Sequence, residues 1–136
     1  MFIDKLVEIK DEINNIEEIN NRVIGDVEIM IVTKKQDKKT VSVLVENGYH
    51  YFGENRLDEL IDKKSAFNHC RFAFIAPIQS NKFLKIMEYS DEIHSISRMK
   101  EIKLMSEFLW KGDYFIQVNV DKEPQKSGVM IEKAMT

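Results

Sequence analysis

The chain has 136 residues and a formal charge of −3, from 23 acidic and 20 basic side chains, which suits one domain around a single hydrophobic core. That balance argues against a general nucleic-acid footprint, and no apolar run approaches the roughly 20 residues needed to span a bilayer. The N-terminus carries a charge at Asp4 and has no signal-peptide core, the single Cys70 excludes an internal disulfide, and the cytoplasm is the expected compartment.

Leu6, Ile9, Ile13, Ile16, Ile19 and Val23 recur at spacings of three and four. The pattern predicts an amphipathic helix over 2–23 with an acidic, amide-rich outer face. Gly25 and Asp26 end it. Residues 28–34, Glu-Ile-Met-Ile-Val-Thr-Lys, read as a first buried strand that closes on Lys34. A helix through Val41, Leu44 and Val45 follows and stops at Gly48.

The alternation then repeats. A strand is expected over 49–53, a helix over 55–64, a third strand over 71–75 and a helix over 81–87. A fourth strand is expected over 92–96, then a helix marked by Met99, Ile102, Met105 and Leu109. After Gly112 comes a fifth strand over 114–120, and a last helix begins near Val129. Gly25, Gly48 and Gly112 fall where helices turn back into strands, where a left-handed residue is cheapest.

Strand–helix alternation with short links predicts an α/β domain with a parallel sheet, because parallel neighbours need a crossover helix. Five units fall short of a closed eight-stranded barrel, which takes about 250 residues and at least about 200. An open doubly wound sheet and most of a barrel both fit the periodicity.

Four strand ends carry polar clusters: Thr33-Lys34-Lys35, Gly53-Glu54-Asn55-Arg56, Pro77 through Lys82, and Asn119-Val120-Asp121 followed by Lys126-Ser127-Gly128. In a parallel sheet these points share the edge where ligands bind. Lys34, Lys82 and Lys126 would converge on one mouth suited to a small anionic ligand. The plainer account is that loops entering helices are polar and often begin with capping Asn or Ser. Lys34 has a chemical option beyond charge, because lysine condenses with a carbonyl to form a Schiff base. That reaction needs a neutral amine, whereas free lysine titrates near 10.4, so burial or nearby cations would favour it. Lys35 should point to the other side of the strand. His50, His69 and His94 show no metal-ligand spacing and are expected to be surface or structural residues. Glu54 is expected to serve as a carboxylate at a helix N-terminus, with an acid of the pocket as the alternative.

Together the stretches Ile31-Val32-Thr33-Lys34, Phe52-Gly53-Glu54-Asn55, Phe74 through Lys82, Gln117-Val118-Asn119-Val120 and Lys126-Ser127-Gly128 resemble the pyridoxal phosphate homeostasis proteins. His94-Ser95-Ile96-Ser97-Arg98 is a weaker match. The resemblance covers nearly the whole chain. It implies a partial (β/α)8 TIM-type barrel like the N-terminal domain of alanine racemase, with residues 1–136 as a single domain. It implies pyridoxal 5′-phosphate held as a Schiff base on Lys34, with Gly53, Asn55, Asn81, Lys82 and Lys126 as further cofactor-binding residues. The implied role is vitamin B6 homeostasis without robust catalysis, with apo forms of cofactor-dependent enzymes as possible recipients.

Two departures bear on this. Phe72-Ala73-Phe74-Ile75-Ala76 stands where the family usually has Trp-His-Phe-Ile-Gly. The family pattern also continues through roughly three more strand–helix units, which carry a phosphate-binding loop and the partner of the pyridine nitrogen. The chain therefore reads as C-terminally truncated. Two alternatives remain: a racemase or lyase fragment, and a non-binding half-barrel that self-associates through open sheet edges.

Overall fold

In the computed structural model, which describes residues 2–134, each of the first four strands is followed by a helix that packs back on the sheet. α1 (Phe2–Ile19) leads into β1 (Ile31–Val32). α2 (Lys38–Glu46) starts at Asp37, whose carboxylate accepts the Thr40 amide at 2.8 Å. It ends at Asn47, with Gly48 left-handed at φ +85°. β2 (Tyr51–Glu54), α3 (Leu57–Ala66) and β3 (Arg71–Phe74) follow, then a 3-10 turn (Ser80–Lys82) and α4 (Phe83–Tyr89). β4 (Glu92–Ile96), α5 (Met99–Glu107) and β5 (Asp113–Ile116) complete the alternation. The last elements are β6 (Val118–Asn119), β7 (Val129–Met130) and α6 (Ile131–Ala134).

β1 to β5 form one sheet in chain order, and every neighbouring pair is parallel. That order is the one a barrel uses, and it excludes the strand reversal of an open doubly wound sheet. The register aligns Val32, Gly53, Ala73, Glu92 and Asp113 in one row across the sheet. The alternate residues Phe52, Phe72, Phe74, Ile93 and Ile96 are buried with Val41 and Leu44 of α2. Leu60 of α3, Phe83, Ile86 and Met87 of α4, and Met105 of α5 complete that core. Burying one such side chain stabilises the fold by about 1.5–3 kcal/mol, so this layer between sheet and helices holds the strands in register.

Several boundaries differ from the sequence expectation. α1 stops at Ile19, and Ile19 (78 % exposed) and Val23 (70 %) lie in solvent. Its inward residues are Ile3, Leu6 and the buried Glu17. The Glu17 carboxylate accepts the amides of Gly25 at 2.8 Å and Val27 at 2.6 Å, which ties the helix to the connection leading into β1. β1 keeps only two of its seven expected residues and pairs with a single neighbour, β2. The expected fifth strand over 114–120 is split: the Gln117 amide donates to Ile96 O, and the chain then leaves the sheet to pair with β7. The helix expected near Val129 begins at Ile131, because Val129 and Met130 are strand residues.

Gly112 is required for space rather than for handedness. A β-carbon there would press on the Trp110 ring and lie 2.5 Å from Asp91 O. The left-handed turn after α5 falls on Leu109, at φ +50°. β5 is exposed along its whole length, Phe115 at 53 % included. The Phe115 ring lies 4.6 Å from that of His94, centroid to centroid.

Candidate functional site

The polar strand ends gather on the carboxyl edge of the sheet. After β1 the chain turns at once: the Gln36 amide donates to Thr33 O at 3.0 Å, and Lys35 is left-handed at φ +60°. Lys34 and Lys35 therefore occupy the middle of a turn. The expectation that they alternate across a strand does not hold, because the strand stops at Val32. Lys34 is exposed, and its amine makes no hydrogen bond or ion pair among the described residues. The Lys35 amide is taken by Glu59 Oε2 at 2.7 Å.

A buried polar network sets this turn. Thr33 Oγ1 donates to Glu54 Oε1 at 2.5 Å. Lys63 Nζ, from α3, donates to Thr33 O at 2.6 Å, to Glu54 Oε1 at 2.7 Å and to Glu59 Oε2 at 3.0 Å. Glu54 is 0 % exposed and Lys63 2 %, so the pair is held away from water. Glu54 is thus no helix-terminal carboxylate, as α3 begins three residues later. It links the ends of β1 and β2 to α3. The sequence carried no sign of Lys63, which reads as an ordinary charge on a solvated helix.

The loops after β2 and β3 enclose a cavity of about 570 Å³ lined by Asn55, Arg56, Pro77, Gln79 and Lys82, among others. The Asn55 Oδ1 is buried and has no hydrogen-bond partner. Such an atom costs about 1–3 kcal/mol if left unmet, so it marks a place for a polar group. The Lys82 amine makes no hydrogen bond or ion pair among the described residues.

A second cavity, of about 370 Å³, is lined by Ile75, Gln117, Asn119, Lys126 and Ser127, with Pro77 common to both. The buried Asn119 shapes this loop by donating to Glu123 O at 2.9 Å. Lys126 is paired with Glu123 at 2.5 Å. The structure thus brings Asn55 and Lys82 together and sets Lys126 in the adjoining cavity. Asn81 is exposed within the 3-10 turn, and Lys34, Gly53 and Asn81 line neither cavity. A β-carbon at Gly53 would lie 3.2 Å from Met30 Sδ, so in this structure a methionine side chain fills the approach that its missing side chain opens.

Arg98 braces the loop after β3. Its Nη2 donates to Ile78 O at 2.7 Å and its Nε to Glu101 Oε1 at 2.6 Å. Glu101 Oε2 in turn accepts the amides of Ser97 and Arg98. On the inner face of the sheet, Tyr51 donates to Glu92 Oε2 at 2.5 Å, and His94 Nε2 lies 2.8 Å from the same oxygen. Arg71 stacks 3.8 Å from the Tyr51 ring centroid. Burial, then the Glu92 carboxylate, pushes the Tyr51 phenol well above its ordinary range. His94 is a structural member of this network.

Parallel strands in chain order, with polar groups gathered at their carboxyl edge, place the chain in the (β/α)-barrel class. Residues 10–136 match the family described as alanine racemase, N-terminal domain, and the chain belongs to that family.

Among its relatives, the pyridoxal phosphate homeostasis protein of Buchnera aphidicola subsp. Schizaphis graminum is 30 % identical over 131 residues, covering 91 % of this chain and 57 % of the relative. The protein of the same name from Vibrio cholerae is 32 % identical over 125 residues, covering 85 % and 53 %. The chain therefore spans a little over half the length of these relatives. PipY of Synechococcus elongatus, solved with PLP bound, superposes with a TM-score of 0.66 at 21 % identity, over 83 % of this chain and 56 % of PipY. The shared fold is a partial barrel. No helix among the described residues is long and apolar enough to cross a membrane.

Proposed function

We propose that this chain binds pyridoxal 5′-phosphate through Lys34 and serves cytoplasmic vitamin B6 homeostasis as a carrier rather than a catalyst. One observation supports this most. An exposed lysine amine without a partner sits in a turn that a buried ion pair holds in place, on the edge that carries Asn55, Lys82 and Lys126. The residues present fit the group: a free amine for an aldehyde, an unspent amide, and cations for an anion.

When bound, the cofactor supplies an electrophilic aldehyde carbon beside a phosphate. The Lys34 amine would attack in its neutral form, and the Thr33–Lys63–Glu54 network would hold the turn that carries it. Lys82 and Lys126 would supply positive charge toward the phosphate. Asn55 would spend its amide on a polar ring substituent, with Asn81 holding the neighbouring loop. Displacing Met30 would uncover Gly53, whose backbone then lies open to the ring. Residues 1–136 act in this reading as a single domain that forms part of a barrel, and apo forms of cofactor-dependent enzymes are the natural recipients.

The test is to mix the chain with pyridoxal 5′-phosphate, reduce with borohydride and locate the adduct by mass spectrometry. One pyridoxyl group on Lys34, lost in Lys34→Ala, is the expected result. Labelling spread over many lysines, or none, overturns the proposal. Amino-acid racemisation or deamination above background, abolished by Lys34→Ala, would favour an enzyme instead. The exposure of β5 supports a second reading, a non-binding half-barrel that pairs with its own copy. A monomer in sedimentation equilibrium across the micromolar range argues against it.

A further inference from the structure

We infer that His50, His69 and Cys70 form a zinc-binding site at the amino-terminal edge of the sheet, remote from Lys34. His50 immediately precedes β2, and His69 and Cys70 immediately precede β3. The Arg71 amide donates to His50 O at 2.8 Å, which extends the β2–β3 ladder by one step and sets His50 beside Cys70. Cys70 Sγ lies 3.7 Å from His50 Nδ1. One ligand atom from each of the three residues lies within 4.8 Å of the others. Tetrahedral zinc, with Zn–S of about 2.3 Å and Zn–N of about 2.0–2.1 Å, separates sulfur from nitrogen by about 3.6 Å. The Cys70–His50 pair is already near that spacing, and only His69 must move inward.

The parts differ in mobility in a way that suits ligation. Cys70 is 2 % exposed, with its amide donating to Phe67 O at 2.9 Å and its carbonyl accepting Lys64 Nζ at 2.8 Å. The sulfur is therefore fixed. His50 and His69 are exposed, with ring centroids 5.9 Å apart, and are free to rotate onto an ion. Both line a cavity of about 460 Å³ whose wall includes Lys10, Asn14 and Glu28, and water from it can fill the fourth position. Two imidazoles and a thiol select a borderline-soft ion over magnesium or calcium, which prefer oxygen.

Lys64, which donates to the Cys70 carbonyl, has its charge met by Asp91 Oδ2 at 2.7 Å. Burial pushes the free Cys70 thiol up. Ligation replaces the S–H bond with a Zn–S bond and releases that proton to solvent. The amino-terminal edge of barrel strands is concerned with stability rather than chemistry, so the ion would act as a clamp on the segments entering β2 and β3.

Cobalt(II) and zinc titrations of the tag-free full chain test the site. One equivalent of cobalt should produce a near-ultraviolet thiolate-to-cobalt charge-transfer band, displaced by zinc and absent in Cys70→Ser. Because Cys70 is buried, His69→Ala provides a second variant at an exposed position. It should weaken zinc binding on the order of 100-fold, at the upper end of what losing even an outer-sphere partner costs. Zinc should raise the melting temperature of the native chain and not that of His69→Ala. Absence of the band, or equal zinc affinity in the native chain and His69→Ala, overturns the site. Borohydride labelling at Lys34 should be unchanged in His69→Ala, so the two proposals fail separately.

Discussion

Lys63 is held by three acceptors and by little water, and its removal leaves the Glu54 carboxylate buried without a counter-charge. Breaking such a pair by removing one partner costs about 3–5 kcal/mol, whereas replacing both with apolar groups of similar size is often neutral. Lys63→Met should therefore lower unfolding stability by about that amount in urea, and adding Glu54→Leu should recover most of it. If Lys63→Met unfolds like the native chain, the network does not hold the turn. In the same loops, Asn55→Ala should weaken cofactor binding by about tenfold, the equivalent of one ordinary hydrogen bond near 1.4 kcal/mol. Equilibrium dialysis gives the ratio directly. The motif residues Asn55 and Lys82 were legible in the sequence because local spacing marks strand ends. The network behind them was not, since Thr33 meets Glu54 across 21 residues and Lys63 meets Thr33 O across 30. The His50–Cys70 pairing was hidden for the same reason, as strand register joins residues 20 apart.

At the scale of elements, two carboxylates secure helices that local propensity leaves marginal. The amide of Gly25, then that of Val27, holds the Glu17 carboxyl below the usual range. The amide and hydroxyl of Thr40 do the same for Asp37. A carboxyl depressed in the folded state contributes stability that is fully present above the unfolded pKa of about 4 and is lost as pH falls through the lower, folded value. The melting temperature should hold steady from neutral pH down to about pH 5 and then fall, with a shallower fall in Glu17→Gln. An identical acid slope in the two proteins would remove Glu17 from the account. Helix and strand types followed from the apolar periodicity, and β4 matched its expected range to the residue. Boundaries failed where side chains reach back to the backbone. The apolar spacing carried α1 on to Val23, but the Glu17 carboxylate captures the amides of residues 25 and 27, and the chain has already turned by then.

Across the whole molecule, the choice between an open sheet and part of a barrel was closed to periodicity, because both are built from the same strand–helix unit. Strand order decided it, and strand order is a property of pairing rather than of any one segment. The order has a dynamic consequence. Each strand leans only on its sequence neighbours, so the sheet behaves as a short one-dimensional array in which opening starts at an end and moves inward. β2 and β3 are flanked on both sides and carry most of the buried phenylalanines, whereas β5 has one partner and no buried residue. Amide hydrogen exchange should therefore be slowest in β2 and β3, intermediate in β4 and fastest in β5. Equal protection in all of these strands would mean that the array opens only as one cooperative block.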